Sequence, residues 1–384
     1  MLVSLAIVLF VGSFASSAVL TAAVKRVAPA LGLVAYPRTD RYHRTIIPLG
    51  GGIALFLTLA LFLIAGAVAM RFLVLPGHLG PLAARARLNP ADFLHHAGEL
   101  LVILLCATVL FLVGLWDDKR TLGPYSKLVF QFLVAFVAAA FADVRVELFI
   151  PSRIVTSILS AIWIVVIVNA FNFLDNMDGA SAGIAAIASA VLLTAAALNG
   201  QVFVSGLALV LIGALTGFLL FNFPPASIFM GDAGSLVVGF FVALLTLRTD
   251  YYHEAHSGPW YPVLLPLIAM AVPLYDFCSV TLLRLRQGKS PFVGDTQHFS
   301  HRLRRRGLTD TQTALTLYLA TLCTGLGATF LYQVNLIGAI LIVGQTLLIV
   351  GIIGVFESTS HNGETDSPPA ESRASRHESG NMAP

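Results

Sequence analysis

Five aspartates carry the chemistry that this sequence could perform. They are Asp117, Asp118, Asp175, Asp178 and Asp232. No lysine or arginine lies between residues 171 and 180 to neutralise Asp175 and Asp178, and their i, i+3 spacing would place both carboxylates on one face of a helix. Because hard cations prefer oxygen ligands, carboxylates gathered in this way predict a site for Mg²⁺, with Mn²⁺ as the alternative.

The sharpest motif is IFMGDAGS, which spans residues 228–235. Gly231 and Gly234 flank Asp232, so the backbone can approach a ligand closely, and Ser235 is predicted to cap the next helix. The ring of Phe229 could stack on a base. An acid between glycines at a helix start suits a metal-bound phosphate, although a plain re-entrant turn is the simpler alternative.

A second group of side chains could bind phosphate oxygens. Its members are Lys127, His298, His301, Arg302, Arg41, His43 and Arg44. Arginine can bind a phosphate through two parallel hydrogen bonds, and the glycine run PLGGG at 48–52 could approach a phosphate. Simpler interpretations stay open: Lys127 could reach only the membrane surface, and the Asp117–Asp118 pair could be a hydrated helix end.

Carboxylates for a divalent metal, cations for phosphates and the lack of a nucleophilic Cys or Ser motif together indicate phosphoryl transfer. The flanking apolar segments indicate that this reaction takes place at a membrane surface.

Membrane-spanning helices must position these side chains. The chain has 384 residues, of which 57% are hydrophobic and 11% charged, and its mean hydropathy is +0.85. A soluble domain is about 25% charged, so a water-soluble globular protein is excluded, as are a disordered and a collagen-like chain. Segments of about 20 apolar residues can cross a bilayer. Eleven candidates occur, at 2–24, 48–70, 98–116, 125–142, 152–170, 180–198, 202–221, 234–248, 261–283, 313–333 and 335–356.

The sequence therefore predicts an all-α, polytopic integral membrane protein with about eleven transmembrane helices. With the N-terminus outside and the C-terminus cytoplasmic, inner segments hold 17 of the 23 Lys and Arg residues, as the positive-inside rule requires. Residues 1–356 form the membrane domain, with its polar loops on the cytoplasmic face. Residues 357–384 are polar and predict a disordered cytoplasmic tail.

The motifs NFLDNMDG (172–179), IFMGDAGS and DTQHFSHRLRRRG (295–307), with the double aspartate, resemble the bacterial polyprenyl-phosphate N-acetylhexosamine-1-phosphate transferases. This is the MraY/WecA/TagO type of glycosyltransferase family 4, and the resemblance runs from about Tyr36 to Gly307. It implies Mg²⁺-dependent transfer of N-acetylhexosamine 1-phosphate from a UDP-sugar to undecaprenyl phosphate, with release of UMP. Such a step initiates a cell-envelope glycan.

The resemblance also implies a location and partners. The protein would be a multi-pass protein of the bacterial cytoplasmic membrane with its active site on the cytoplasmic face. Its partners would be UDP-N-acetylhexosamine, undecaprenyl phosphate, membrane lipids and a second copy in a homodimer. No nucleic acid is expected among them.

Roles for the five aspartates follow from the same resemblance. Asp232 would be the principal metal ligand, joined by Asp175. Asp175 and Asp178 would lie against the metal and the pyrophosphate. Asp117 would assist attack by the lipid phosphate, with Asp118 beside it, so that Asp117, Asp118, Asp175 and Asp178 are the implied catalytic set.

Substrate-binding roles are implied for polar and aromatic residues. Asn222 and Phe229 would shape the nucleotide pocket, and Asn172 would support Asp175 and Asp178. His298 and His301 match the outer members of a His-Ile-His-His cluster that would touch the diphosphate or the sugar.

Thr121 stands where the family pattern often has an acid after the double aspartate, and two further departures also concern single residues. Ser300 replaces the middle histidine of the cluster, and Arg41 stands where a lysine is usual. A run of three histidines is absent, which favours the WecA/TagO branch and a simple UDP-N-acetylhexosamine donor over a muramyl-pentapeptide donor.

The alternative function is that of a polytopic transporter or lipid flippase. Transport sites lie near the membrane midplane, and the candidate there is Asp276, after Pro273. We expect Asp276 to be a structural partner of Arg284 or Arg286.

Overall fold

The computed structural model describes residues 2–36, 46–78, 90–146, 150–251, 259–290 and 298–358. Its helices are α1 Leu2–Val27, α2 Gly51–Ala69, α3 Pro90–Lys119, α4 Pro124–Phe141, α5 Arg153–Leu174, α6 Ala180–Leu198, α7 Val202–Asn222, α8 Asp232–Arg248, α9 Leu265–Ala269, α10 Ala271–Arg286, α11 Phe299–Arg305, α12 Asp310–Thr329 and α13 Leu336–Ser358. Strands β1 (Val34–Ala35) and β2 (Ile47–Pro48) have two residues each and pair antiparallel. A π-helical turn, Met70–Val74, and 3₁₀ turns at Ala28–Leu31, Tyr261–Leu264 and Phe330–Tyr332 adjoin the helices.

The prediction of a helical, polytopic membrane protein is confirmed. Within the described ranges, nine helices are long and apolar enough to cross a membrane. A tenth span results if the pair Tyr261–Ala269 and Ala271–Arg286, bent by 62°, counts as one. The predicted count of eleven spans and the orientation of the termini stay predictions.

Helix α8 explains the difference in the count. It has 17 residues, fewer than the roughly 20 that a bilayer crossing needs. All its residues from Ala233 to Thr246 are buried, and it packs against α2, α3, α5 and α6. Because its surface is apolar on every side, it lies at the centre of the helix bundle.

Local sequence signals explain where several helices begin. Pro124 occupies the first turn of α4, where its missing N–H costs no hydrogen bond. The hydroxyl of Ser152 accepts the N–H of Val155 at the start of α5. Thr309 and Gln312 form a reciprocal capping box at the start of α12.

Glycines let α2 and α3 touch the first turn of α8 backbone to backbone. A Cβ placed on Gly52 would overlap the backbone of Gly234. A Cβ on Gly114 would lie 2.5 Å from the backbone nitrogen of Ala233. Small residues allow such close approach between membrane helices, so these two glycines set the position at which α8 begins.

We predict that Gly52→Ala destabilises the protein, because its methyl group must displace backbone and not a flexible side chain. Overpacking of this kind costs about 1–3 kcal/mol. Gly66→Ala, in the same helix, is the matched control, since a Cβ there meets no atom within 4 Å. Thermal unfolding in detergent should show a lower melting temperature for the first variant alone. Equal melting of both variants would contradict the close contact.

Candidate active site

One ammonium group joins two of the predicted aspartates. Lys127 lies in the first turn of α4, and its Nζ donates to Asp117 Oδ2 at 3.2 Å and also to Asp232 Oδ2. Asp117 is in the last turn of α3, and its Oδ1 accepts the N–H of Leu122 at 2.5 Å, which closes the turn between α3 and α4. With 15% of its side chain exposed, Lys127 is largely shielded from water, so the three charges interact more strongly than at an open surface.

Asn172 holds the other oxygen of Asp232. This residue lies in the last turn of α5, and its Nδ2 donates to Asp232 Oδ1 at 3.0 Å and to Ser235 Oγ at 2.8 Å. Asp232 is therefore fixed from α4 and α5 at once. The predicted support of Asp175 and Asp178 by Asn172 stays a prediction, and the bond to Asp232 is a contact that the sequence did not predict.

Asp118 caps α8 from a different helix. Its two oxygens accept the N–H groups of Asp232 at 2.8 Å and of Ala233 at 3.1 Å. The first N–H groups of a helix lack intrahelical acceptors, and a carboxylate there also meets the positive end of the helix dipole. The prediction that Ser235 caps this helix is wrong, because Ser235 lies one turn inside it and accepts from Asn172 instead.

The glycine run at 48–52 contacts protein backbone. The N–H groups of Gly50 and Gly51 donate to Phe229 O, and that of Gly52 donates to Met230 O. The expectation that this run approaches phosphate is therefore wrong, since these N–H groups are already bonded within the fold. The contact instead fixes the loop that carries Phe229 before Asp232.

The predicted helical face shared by Asp175 and Asp178 is not formed. Helix α5 ends at Leu174, and Asp175 is its half-buried C-cap. The following turn places Asp178 so that its Oδ2 accepts the N–H of Ala226 at 2.8 Å. Gly179 permits this turn through its positive φ of 71°.

Asn222 joins the same two loops. Its side chain is buried, its Oδ1 accepts the N–H of Gly179 at 3.1 Å, and its Nδ2 donates to Ile228 O at 3.0 Å. Both ends of the amide are thus used inside the protein. Asn222 shapes the loop that carries Phe229 by holding backbone; its contact with a nucleotide stays a prediction.

The histidines and Arg302 lie at helix α11. His298 is the N-cap, and its ring meets Phe173 edge-on at 5.4 Å between centroids. His301 is buried in the first turns, and Arg302 donates to Ser279 Oγ at 2.9 Å. Since Phe173 directly follows Asn172, α11 lies beside the helix end that supports Asp232.

Ser300 keeps a contact where the family pattern has a histidine. Its buried hydroxyl donates to Asn176 Oδ1 at 2.6 Å. The bond ties α11 to the turn that contains Asp175 and Asp178. A serine thus fills this position with a structural bond that the sequence did not reveal.

Asp276 has other partners than predicted. Its Oδ2 faces His298 Nδ1 at 3.0 Å, and its Oδ1 accepts the N–H of Phe299 at 2.7 Å. Arg284 instead lies over the ring of Phe173, 5.0 Å from its centroid. Sequence separation suggested a partner on the same helix, but the chain returns at His298 to meet the carboxylate.

Some predicted residues lie outside the described residues. These are Arg41, His43, Arg44 and the tail from residue 359 onward. Their predicted roles stay predictions.

The described residues suit a divalent cation that shares its ligands with a substrate. No group of three or more His, Cys, Asp or Glu side chains among them is arranged to hold a metal. Mg²⁺, however, is usually held by one or two carboxylates together with substrate phosphates and water. Asp117 and Asp232 both reach the ammonium of Lys127, which shows that a positive charge fits between them.

Comparison with known proteins decides the family. Residues 100–250 match the model of glycosyl transferase family 4. The chain is 30% identical to the "Probable undecaprenyl-phosphate N-acetylglucosaminyl 1-phosphate transferase" of Bacillus subtilis (strain 168), over 82% of this chain and 81% of the relative. The chain belongs to glycosyl transferase family 4. The matched residues 100–250 of this chain include Asp117, Asp118, Lys127, Asn172 and Asp232.

Two further relatives are similar over most of the chain. The "Decaprenyl-phosphate N-acetylglucosaminephosphotransferase" of Mycobacterium tuberculosis (strain ATCC 25618 / H37Rv) is 31% identical over 86% of this chain and 85% of its own. The "Undecaprenyl-phosphate alpha-N-acetylglucosaminyl 1-phosphate transferase" of Salmonella typhi is 28% identical over 80% of this chain and 79% of its own.

Burial lowers the pKa of His301 from its ordinary 6.5 to about 4, and the nearby charges of His298, Arg304 and Arg305 act in the same direction. The side chain is 5% exposed. His301 is therefore neutral at neutral pH, and in its neutral form it can both donate and accept one hydrogen bond.

This pKa predicts an acid-sensitive stability. Below pH 6.5 the unfolded chain binds a proton that the folded chain excludes until about pH 4, so folding weakens as the pH falls through that window. The loss is about 2 kcal/mol at pH 5. We expect the melting temperature of His301→Gln to fall less between pH 7 and pH 5 than that of the wild type. Parallel pH curves for the two proteins would show that the pKa is not lowered.

Proposed function

We propose that this protein transfers N-acetylglucosamine 1-phosphate from UDP-N-acetylglucosamine to a polyprenyl phosphate, undecaprenyl phosphate in the first instance, and releases UMP. The observation that supports this proposal is the cluster in which Lys127 bridges Asp117 and Asp232 while Asn172 donates to Asp232. Its relatives in glycosyl transferase family 4 are named for this transfer to undecaprenyl or decaprenyl phosphate.

The reaction is an in-line displacement at phosphorus. An oxygen of the acceptor phosphate forms a bond to the β-phosphorus of the UDP-sugar, and the bond from that phosphorus to the bridging oxygen of UMP breaks. A phosphomonoester has a second pKa of about 6, so most of the acceptor is ionised at neutral pH. Asp117 therefore orients the acceptor and the ammonium of Lys127 more than it removes a proton.

Charge neutralisation is the main requirement, because two phosphorylated substrates must meet. Lys127 supplies one positive charge at the cluster, and His298, His301 and Arg302 on α11 extend the donors toward the diphosphate and the sugar. Mg²⁺ would be held by Asp232 and Asp175, and it would supply Lewis-acid stabilisation of the negative charge on the diphosphate. Asp118 and Asp178 position the loops that carry these groups.

The location is the bacterial cytoplasmic membrane, with the site on the cytoplasmic face. The support is the excess of Lys and Arg in the segments that share this side of the bundle, 17 of 23 residues. A nucleotide-activated donor is a cytoplasmic metabolite, which agrees with this orientation.

A transporter or flippase is not favoured. Transport sites are built near the midplane from interrupted helices. Here Asp117 lies in the last turn of α3, Asp232 begins α8 and Asn172 lies in the last turn of α5, so the cluster lies at helix termini. Asp276, the candidate near the membrane midplane, is bonded to His298 and Phe299.

We predict that Asp232→Asn lowers the rate of UMP release at least 100-fold. The amide can still accept from Asn172, but it loses the charge that faces Lys127 and the cation; losses of about 10²–10³ are usual when such an electrostatic group is removed. The assay uses purified protein, UDP-N-acetylglucosamine and undecaprenyl phosphate, with and without Mg²⁺. Removal of divalent cations with EDTA should stop the wild-type reaction.

The matched control is Asp250→Asn, an exposed aspartate beyond the opposite end of α8. It should keep the wild-type rate within about twofold, since an exposed charge far from the site acts weakly. A folded Asp232→Asn protein with wild-type activity would contradict the assignment of Asp232. Transfer that persists in EDTA would contradict the cation requirement.

A further inference from the structure

Asp276 is a buried carboxylate that the proposed reaction does not use. It is 1% exposed and lies inside α10. Burying an ionised carboxylate is costly unless hydrogen bonds replace its hydration. Its hydrogen bonds go to the first residues of α11, where Oδ2 faces His298 Nδ1 at 3.0 Å and Oδ1 accepts the N–H of Phe299 at 2.7 Å.

We propose that Asp276 is a positioning residue that keeps the proton of His298 on Nδ1. An ionised carboxylate only accepts hydrogen bonds, so the nitrogen that faces it must carry hydrogen. The other ring nitrogen, Nε2, is then the one at which a proton can be gained or lost. This is the arrangement by which a carboxylate fixes the orientation and tautomer of a functional histidine.

The ring of His298 is also held from the side of the acidic cluster. Phe173 meets it edge-on at an interplanar angle of 84°. Phe173 itself packs on Phe277 at 5.3 Å and under the guanidinium of Arg284 at 5.0 Å. Since Phe173 neighbours Asn172, a rotation of the His298 ring would disturb the residue that holds Asp232.

The consequence for catalysis rests on the proposed function. A histidine with its hydrogen on Nδ1 has Nε2 left to contact a ligand. Asp276 therefore fixes which ring nitrogen His298 can offer to the diphosphate.

Asp276→Asn separates these roles from simple packing. The amide has the same shape, but it can accept only one of the two N–H groups that the carboxylate accepts. If it keeps the bond to Phe299, its NH₂ group faces His298 Nδ1 and drives the proton to Nε2. Ser300→Ala is the matched control, because it removes a different hydrogen bond that anchors α11, the one to Asn176, without touching the ring.

The test is ¹⁵N NMR of the full-length protein, labelled at histidine and purified in detergent at neutral pH. His298→Gln identifies the His298 signals by their loss. We expect a protonated Nδ1 in the wild type and in Ser300→Ala, and a bare Nδ1 in Asp276→Asn. A bare Nδ1 in the wild type would overturn the proposal, and so would an unchanged tautomer in Asp276→Asn; the wild-type spectrum decides even if the variant does not fold.

Kinetics test the catalytic consequence. Asp276→Asn should lower kcat for UMP release at least 10-fold, as is usual when the partner of a functional histidine is lost, while KM for UDP-N-acetylglucosamine changes less than about threefold. An unchanged kcat would overturn the catalytic role. If the wild type released no UMP at all, the proposed function would fail while the tautomer spectra would still stand.

Discussion

The position of Asp232 depends on how α8 begins. Asp118 accepts the first two N–H groups of this helix, and the backbones of α2 and α3 touch its first turn at Gly52 and Gly114. Because α8 is buried along nearly its whole length, it cannot shift without disturbing the core. The aspartate at its first position is therefore held as rigidly as a core residue, although it lies at the edge of the apolar region.

The acidic residues divide by what their oxygens accept. Asp118 and Asp178 accept backbone N–H groups and fix helix starts and loops. Asp117 and Asp232 share the ammonium of Lys127, so their charges face a position that a cation can occupy. In a bundle with so few charges, each carboxylate near the apolar core needs a partner. Carboxylates that accept backbone N–H groups hold the fold in place, whereas those that face Lys127 are available for the reaction.

The sequence predicted the positions of the helices well and the contacts between distant residues poorly. Hydropathy located the helices because apolar length is read directly along the chain, but α8 at 17 residues shows that a buried helix and a short span have the same composition. The motifs identified Asp117, Lys127, Asn172 and Asp232 as members of one site. They could not show that the glycine run at 48–52 bonds to a loop of the protein, or that Asp276 meets His298, since such contacts depend on how distant segments return to each other.

The central claim is that this cluster transfers a phosphorylated sugar from a nucleotide to a lipid. The most direct measurement uses UDP-N-acetylglucosamine labelled with ³²P at the β-phosphorus, together with undecaprenyl phosphate and Mg²⁺. Transfer of the sugar 1-phosphate moves the label into the lipid that organic solvent extracts and leaves the released UMP unlabelled. A label that stays in water-soluble UDP while the sugar alone reaches the lipid would contradict the account.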